Sequence, residues 1–424
     1  MSQINRVSCG APDADYPGFD NRTIQKAVDF VSVQGGGEVC LSAGEFLLQD
    51  SVHLRDNVIL RGAGIDKTVL KKAKSVKCAT DNFCGYGYKE IMVTDGSIFR
   101  EGDGVYIKDN TTPGFFATQT TVTEVEGNIL FLADPLCGDI IGNRNGQIET
   151  IFPMIKAAGC RNALVSEMTL LGNAAENGYL EGCRGGCIYM ISSAGIRVDR
   201  VKITDFNGEG ISYQQCCDIR ITDSVITGNH GNGLHPGSGT VGMLIEGCEI
   251  TGNAKCGIFY CLRIHYNVCR RNRIVGNGWE GINVGHRDDY IEIAENEICQ
   301  NGREGIFFRM DNHPGMSGKY TSLHHNTIED NAGKAQVYIP SSLTGFEMYE
   351  NTVGGSSSLL FADAMQDSYI WNNTFAGTVG WAETDGQRRN TEGTYAKHAP
   401  ENGERIIDID RIPETEYRHL DLRV

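Results

Sequence analysis

The sequence predicts an all-β fold: a right-handed parallel β-helix with an N-terminal helical cap and an inserted β subdomain. Three observations predict it. First, Asn229, Asn253, Asn277 and Asn301 are spaced by 24 residues, and so are Ile226, Ile250, Ile274 and Ile298. Second, Gly233, Gly257, Gly281 and Gly305 recur at the same interval, each followed by an apolar residue: Leu234, Ile258, Ile282, Ile306. One such unit cannot bury its own apolar face, so the coils must stack. Stacking gathers the apolar rows into a core and sets the Asn row as a hydrogen-bonded amide ladder at a turn. Third, Gly is abundant at 53 and Pro scarce at 10, which suits many tight corners joined by unbroken ladders. A leucine-rich repeat has a similar period but needs a Leu-rich consensus that is absent here.

The elements follow in order. Residues 1–56 form the cap and first strands. Asn21 or Asp20 caps a short helix whose apolar face is Ile24, Ala27, Val28 and Val31. Gly35, Gly36 and Gly37 end it, and residues 38–48 read as strand, turn and strand. Such a helix plugs the open end of a solenoid, where core and ladder edge would otherwise be bare. The β-helix is expected over residues 57–379, with 57–70 as its first coil. Alternation and turn signals from 99 to 135 suggest antiparallel hairpins, an insertion over about 99–150. The Asn pattern continues through Asn326, Asn351 and Asn373. Residues 380–424 are a charged, irregular tail that packs along the outside, caps the end or mediates homo-oligomerisation.

Composition removes several function classes. No apolar run reaches the ~18–20 residues of a membrane span. A net charge of −16 argues against nucleic acid, which calls for a basic footprint. The first residues lack the basic segment and apolar core of a secretory signal, so a cytoplasmic location is expected. The 15 cysteines are odd in number, and Cys248, Cys269 and Cys299 stand in strands. They read as small buried residues of a reducing compartment rather than a disulfide framework. Cys183 and Cys187 have no second pair to complete a metal site. No cofactor is expected, although Asp288 and Asp289 leave Ca²⁺ open.

The register also locates candidate chemistry. Neighbouring coils stand about 4.8 Å apart, so residues 24 apart sit side by side. With the apolar residue after each Gly taken as inward, the first, third and fifth residues beyond it face out. These are His235, Gly237 and Gly239; Phe259, Cys261 and Arg263; Asn283, Gly285 and Arg287; Phe307, Arg309 and Asp311. His286, Asp288 and Asp289 follow at the adjoining turn, and Glu280 and Glu304 stand at strand entrances. Between Asp311 and Tyr320 about six extra residues form a loop that brings in His313. The glycines leave room for a ligand. Outward positions of a β-helix are commonly just solvated, and Asp288, Asp289 and Asp311 could balance the arginines as a salt network. Against that, three arginines on adjacent coils of an acidic chain repel unless an anion joins them. Phe259 and Phe307 suit sugar stacking.

The repeat region with its cap resembles the pectate-lyase-like superfamily of carbohydrate-active β-helices. Locally, Gly281-Ile282-Asn283-Val284-Gly285-His286-Arg287-Asp288 followed by Ile293-Ala294-Glu295-Asn296 resembles the segment of mannuronan C5-epimerases around their Asp-Pro-His motif. Asn283 stands where that motif has its Asp, and Val284-Gly285 replaces Pro-His. Glu209-Gly210, Glu280-Gly281 and Glu304-Gly305 are loose analogues of the polygalacturonase strand. The resemblance implies an oligo- or polysaccharide partner.

Three functions fit. The first is a lyase or epimerase that abstracts the proton beside a uronate carboxylate. His235 or His286 would be the base, and Arg263, Arg287 and Arg309 would neutralise the carboxylate. The second is a glycoside hydrolase with paired carboxylates from Asp288, Asp289, Asp311, Glu280 and Glu304. The third is a saccharide-binding or structural β-helix without turnover. His235, beside the bare segment Pro236-Gly237-Ser238-Gly239, is the strongest single candidate, and His265, His324 and His325 read as structural.

Overall fold

The computed structural model describes residues 5–81, 83–112, 114–310, 316, 318–361, 365–381 and 395–417. The chain divides into two compact units. One comprises Met1–Ala158, Ala163–Tyr189 and Ile203–Ser212, and the other Gly159–Asn162, Met190–Lys202 and Tyr213–Val424.

In the first unit, the strands Arg6–Gly10, Gly37–Leu41 and Val58–Arg61 pair in parallel, with Val7, Val39 and Leu60 in one register row. The helix Asn21–Val33 packs on them. Its cap is Asp20, whose side chain accepts from the Thr23 N–H at 2.7 Å. Ile24, Ala27, Val28 and Val31 are fully buried, the face expected from their 3.6-residue spacing. Gly35, at φ +92°, follows the C-cap and turns the chain. The parallel strand Leu164–Leu171 then pairs with both Val58–Arg61 and Thr68–Lys72, about a hundred residues earlier in the chain. What lies between includes an antiparallel sheet: Lys77–Ala79, Glu90–Met92, Gly104–Lys108, Thr118–Glu126, Ile129–Leu132 and Gln147–Glu149. It has its own buried core of Ile91, Val105, Ile107, Val122, Leu130 and Ile148. Its strands begin at Lys77, ahead of residue 99, because the opening strand is too short to show alternation in sequence.

In the second unit each coil contributes three parallel strands. One runs Val241–Glu246, Glu249–Thr251 and Ile258–Phe259, and the next His265–Arg270, Arg273–Val275 and Ile282–Val284. Rows 24 residues apart pair directly: Ile250 with Ile274, Ile258 with Ile282, Ile282 with Ile306. All of these are fully buried, so the repeat is the core.

The Asn row proves to be two ladders at two corners. Asn229, Asn253, Asn277, Asn301 and Asn331 form one, each side-chain N–H donating to the next side-chain oxygen at 2.8–3.0 Å. Asn326, Asn351 and Asn373 do not continue it. They belong to a second ladder begun by Asn272 and Asn296. A change of period hides this in sequence: Ile291 pairs with Thr321, 30 residues on, where earlier steps are 24. The six additional residues fall in the expected loop, yet both ladders step over them.

After Tyr395 the tail runs back over the second unit. Ala396 bridges Tyr369, Arg405 pairs with Glu347, Asp410 with Arg220, and Glu416 with His265 at 2.7 Å. Ile407 packs on Leu244 and Val268, and Ile412 on Cys217 and Val241. Tyr266, Tyr290 and Tyr320 stack beside it at 4.5 and 4.8 Å. No helix of the described residues is long and apolar enough to cross a membrane.

Candidate functional site

The strand register builds one row of side chains on the second unit. Phe259 pairs with Asn283, Asn283 with Phe307, and Phe307 with Tyr338. His235 follows Leu234, which pairs with Ile258, so it precedes Phe259 in the row. Its ring meets Phe259 edge-on at 5.2 Å, and Phe307 meets Tyr338 at 5.7 Å. The row is therefore His235, Phe259, Asn283, Phe307, Tyr338. The two aromatics Phe259 and Phe307 are half-buried, while His235 and Asn283 are 6% exposed. Asn283 donates to Glu280 Oε2 at 3.3 Å.

Arg309 joins this row from the next one. Its guanidinium lies 4.7 Å from the Phe259 ring and donates to the carbonyl oxygens of Tyr260, at 2.9 Å, and Cys261. It passes over Gly285, where an added Cβ would meet the guanidinium and both carbonyls. Gly237 likewise faces the Gln214 amide. The glycines expected to leave room for a ligand thus admit the protein's own side chains. Arg263 and Arg287 do not lie with Arg309. They are exposed neighbours at the next bend, at φ +56° and +55°. His286, beside Arg287, is half-exposed and its carbonyl accepts from the Arg263 N–H.

The carboxylates take internal roles. Asp288, expected at the turn adjoining the outward row, is fully buried there. Its oxygens accept from the N–H groups of Ile264 at 2.9 Å and Gly285 at 2.7 Å, so it locks the bend beneath Arg309. Burial pushes its carboxyl up to about 7, against the pull of those donors and of Arg309. Turned to N–H donors, it is set the opposite way from a Ca²⁺ ligand. Asp289 accepts from the Lys319 N–H and faces His265 at 3.9 Å. Glu280, 3% exposed, accepts from the Cys256 thiol, Asn283 and Arg303. Burial alone would raise its pKa, but these bonds together hold it below the usual carboxylate value. Glu304 is buried and accepts from the Lys334 N–H. Asp311 and His313 lie outside the described residues.

The register also aligns Lys255, Trp279 and Arg303 on the turn that leads into the same strands. The Trp279 N–H donates to the Lys255 carbonyl, and the Arg303 N–H to the Trp279 carbonyl. They carry the same 24-residue spacing as the glycines, so the signal was present in the sequence, one element earlier than the strands.

The first unit holds a separate group of titratable residues. His53 and Lys156 are register partners, and Asp50 accepts from Thr121 at 2.6 Å. Burial pushes Asp50 up to about 6 and His53 down to about 4. Sequence patterning gives no hint of it, since Lys156 is about a hundred residues from His53 and Thr121 about seventy from Asp50.

Residues 172–313 match a family described as "Right handed beta helix region", and residues 244–391 one described as "Periplasmic copper-binding protein (NosD)". Among the described residues no three His, Cys, Asp or Glu side chains converge on a metal position. No curated protein matches. Solved structures do. An exopolygalacturonase from Thermotoga maritima aligns at 13% identity over 89% of each chain, with a TM-score of 0.51. The Dettilon tailspike protein aligns at 13% over 89% of this chain and 68% of its own, with a TM-score of 0.59. A mannuronan C-5 epimerase A-module from Azotobacter vinelandii aligns at 16% over 90% of this chain and 96% of its own, with a TM-score of 0.46. The chain has the right-handed, pectate-lyase-like β-helix fold.

Proposed function

We propose that this β-helix protein acts on a uronate-containing saccharide by abstracting the proton beside the sugar carboxylate, as a lyase or an epimerase. The observation that carries the reading is the convergence of His235 and Arg309 on one Phe259 ring, with Asn283 next in the row. Proton abstraction at that carbon needs a base and a positive or hydrogen-bonding partner for the enolate that forms. His235 is the base, Arg309 the cation, and Asn283 a donor beside it. Phe259 seats Arg309, and half-buried Phe307 gives the sugar ring an apolar floor. Hydrolysis is the weaker reading because it calls for two carboxylates flanking the bond. Here Asp288 is locked to backbone donors, and Glu280 and Glu304 are buried in hydrogen bonds.

The test is a panel of acidic and neutral polysaccharides incubated in D₂O. Abstraction at the carbon bearing the carboxylate predicts deuterium incorporation in an epimerised product, or an unsaturated uronate absorbing at short ultraviolet wavelength. His235→Asn should lower either rate at least about 100-fold while the thermal transition stays in place. New reducing ends with neither signal would sink the reading in favour of hydrolysis.

A further inference from the structure

Four cations on the second unit are each seated against an aromatic ring. Arg303 lies 4.4 Å from the Trp279 ring centroid and Lys255 5.7 Å from the same ring. Arg309 lies over Phe259, and Lys334 lies 5.6 Å from the ring of Tyr338. Phe259 and Tyr338 belong to the row described above, while Lys255, Trp279 and Arg303 form the turn that borders it. These four contacts all fall between residues 255 and 338. A ring positions a cation without cancelling its charge, and Arg303 is held as well by the buried Glu280 at 3.2 Å. The surrounding chain carries a net charge of −16, so a cationic turn here is set against the overall field.

The geometry is regular as well as charged. Backbone bonds from Trp279 to Lys255 and from Arg303 to Trp279 lock the turns in register. Successive positions are therefore one coil apart, about 4.8 Å. That is close to the length of one pyranose unit in an extended polymer. Trp279 is 38% exposed and Arg303 half-exposed, so both are within reach of a ligand. Glu280 ties this turn to the row, since it bonds both Arg303 and Asn283.

We propose that Lys255, Trp279 and Arg303, with Lys334, form a binding ledge for the carboxylates of an acidic polysaccharide laid along the coils, one sugar per coil. The ledge deepens the reading of the row as a uronate site and rests on it. It sets which polymers are held, whereas the row sets what is done to them.

The experiment measures binding of polymannuronate, polygalacturonate and neutral dextran to the full chain by titration calorimetry and tryptophan fluorescence, at low and high salt. At least one polyuronate should bind, weaken with salt, and exclude dextran. The triple variant Lys255→Gln, Arg303→Gln, Lys334→Gln should bind it at least about tenfold more weakly, and Arg303→Lys should keep most of the affinity. Because Arg303→Gln leaves Glu280 without that partner, the pair Lys255→Gln, Lys334→Gln is measured too and should show an intermediate loss. Unchanged polyuronate affinity in the triple variant overturns the ledge, as does equal binding of dextran or no binding of either polyuronate. The outcome for the row is separate. Polyuronate binding that depends on the ledge, without deuterium incorporation or an unsaturated product, leaves the ledge standing and removes proton abstraction.

Discussion

Asp288 shows how one residue can hold a site without entering it. Its carboxyl joins the Ile264 and Gly285 N–H groups across the bend, and Gly285 is the position over which Arg309 passes. Burial pushes the folded-state pKa up to about 7, against about 3.9 in the unfolded chain. The folded state therefore binds this proton more tightly. The group's contribution to stability is complete below about pH 4 and is lost as pH rises through about 7. Asp288→Asn, which cannot titrate, should flatten the fall of the urea midpoint between pH 5 and pH 8. At pH 5 it should cost about 1 kcal/mol, because its amide nitrogen cannot accept from the second N–H. A slope unchanged in the variant would show that other groups govern that range. The place of Asp288 at this turn was legible in the sequence, and the direction in which it points was not. Period-2 alternation reads strand faces, but at a bend the direction of a side chain depends on φ and ψ, and Arg287 just before it sits at φ +55°.

At the scale of elements, the amide ladders do work that the apolar rows cannot. Asn277 takes N–H bonds from the Asn253 backbone and side chain, and gives its own to Asn301 and to the Ile250 carbonyl. Every one of these groups is buried. Asn277→Ala should therefore cost about 3 kcal/mol or more in urea unfolding, because it strands the two Asn253 donors and takes a donor from the Asn301 oxygen and the Ile250 carbonyl. Asn373→Ala, at the far end of the other ladder with only Asn351 above it, should cost distinctly less. Equal losses would mean that the ladder merely accompanies the core. The coils were legible in sequence because a solenoid repeats its own contacts, so position along the chain is position in space. The antiparallel sheet was only partly legible, since its strands at Lys77–Ala79 and Gln147–Glu149 pair across some seventy residues. The row His235, Phe259, Asn283 followed directly from the period. Arg309 did not keep company with Arg263 and Arg287, because it crosses to an earlier coil through the space that Gly285 leaves.

For the whole molecule, the cysteines carry the clearest consequence. All fifteen are free thiols in the structure, and most are buried. Burial pushes Cys9, Cys216, Cys248 and Cys269 up to about 12, so these thiols stay protonated and unreactive near neutrality. A thiol reagent at pH 8 should find few reactive groups in the native protein, chiefly among the partly exposed Cys40, Cys137, Cys183 and Cys261. It should find all fifteen after unfolding without reductant. A denatured count well below fifteen would reveal disulfides and point to an oxidising compartment in place of the reducing one proposed from the cysteine pattern.

The loop that interrupts the period between the strands Ile306–Phe308 and Thr321–His324 has a consequence for how such a protein changes over time. Six residues enter there, and the amide bonds on either side keep the same length as in the uninterrupted coils: 3.0 Å from Asn296 to Asn326, and 2.8 Å from Asn301 to Asn331. Two corners of the coils that flank it are thus fixed by amides, and the third takes in six more residues without disturbing them. Inheritance can lengthen or replace that corner, and a protein engineer can graft there, while folding is left to the parts that do not change.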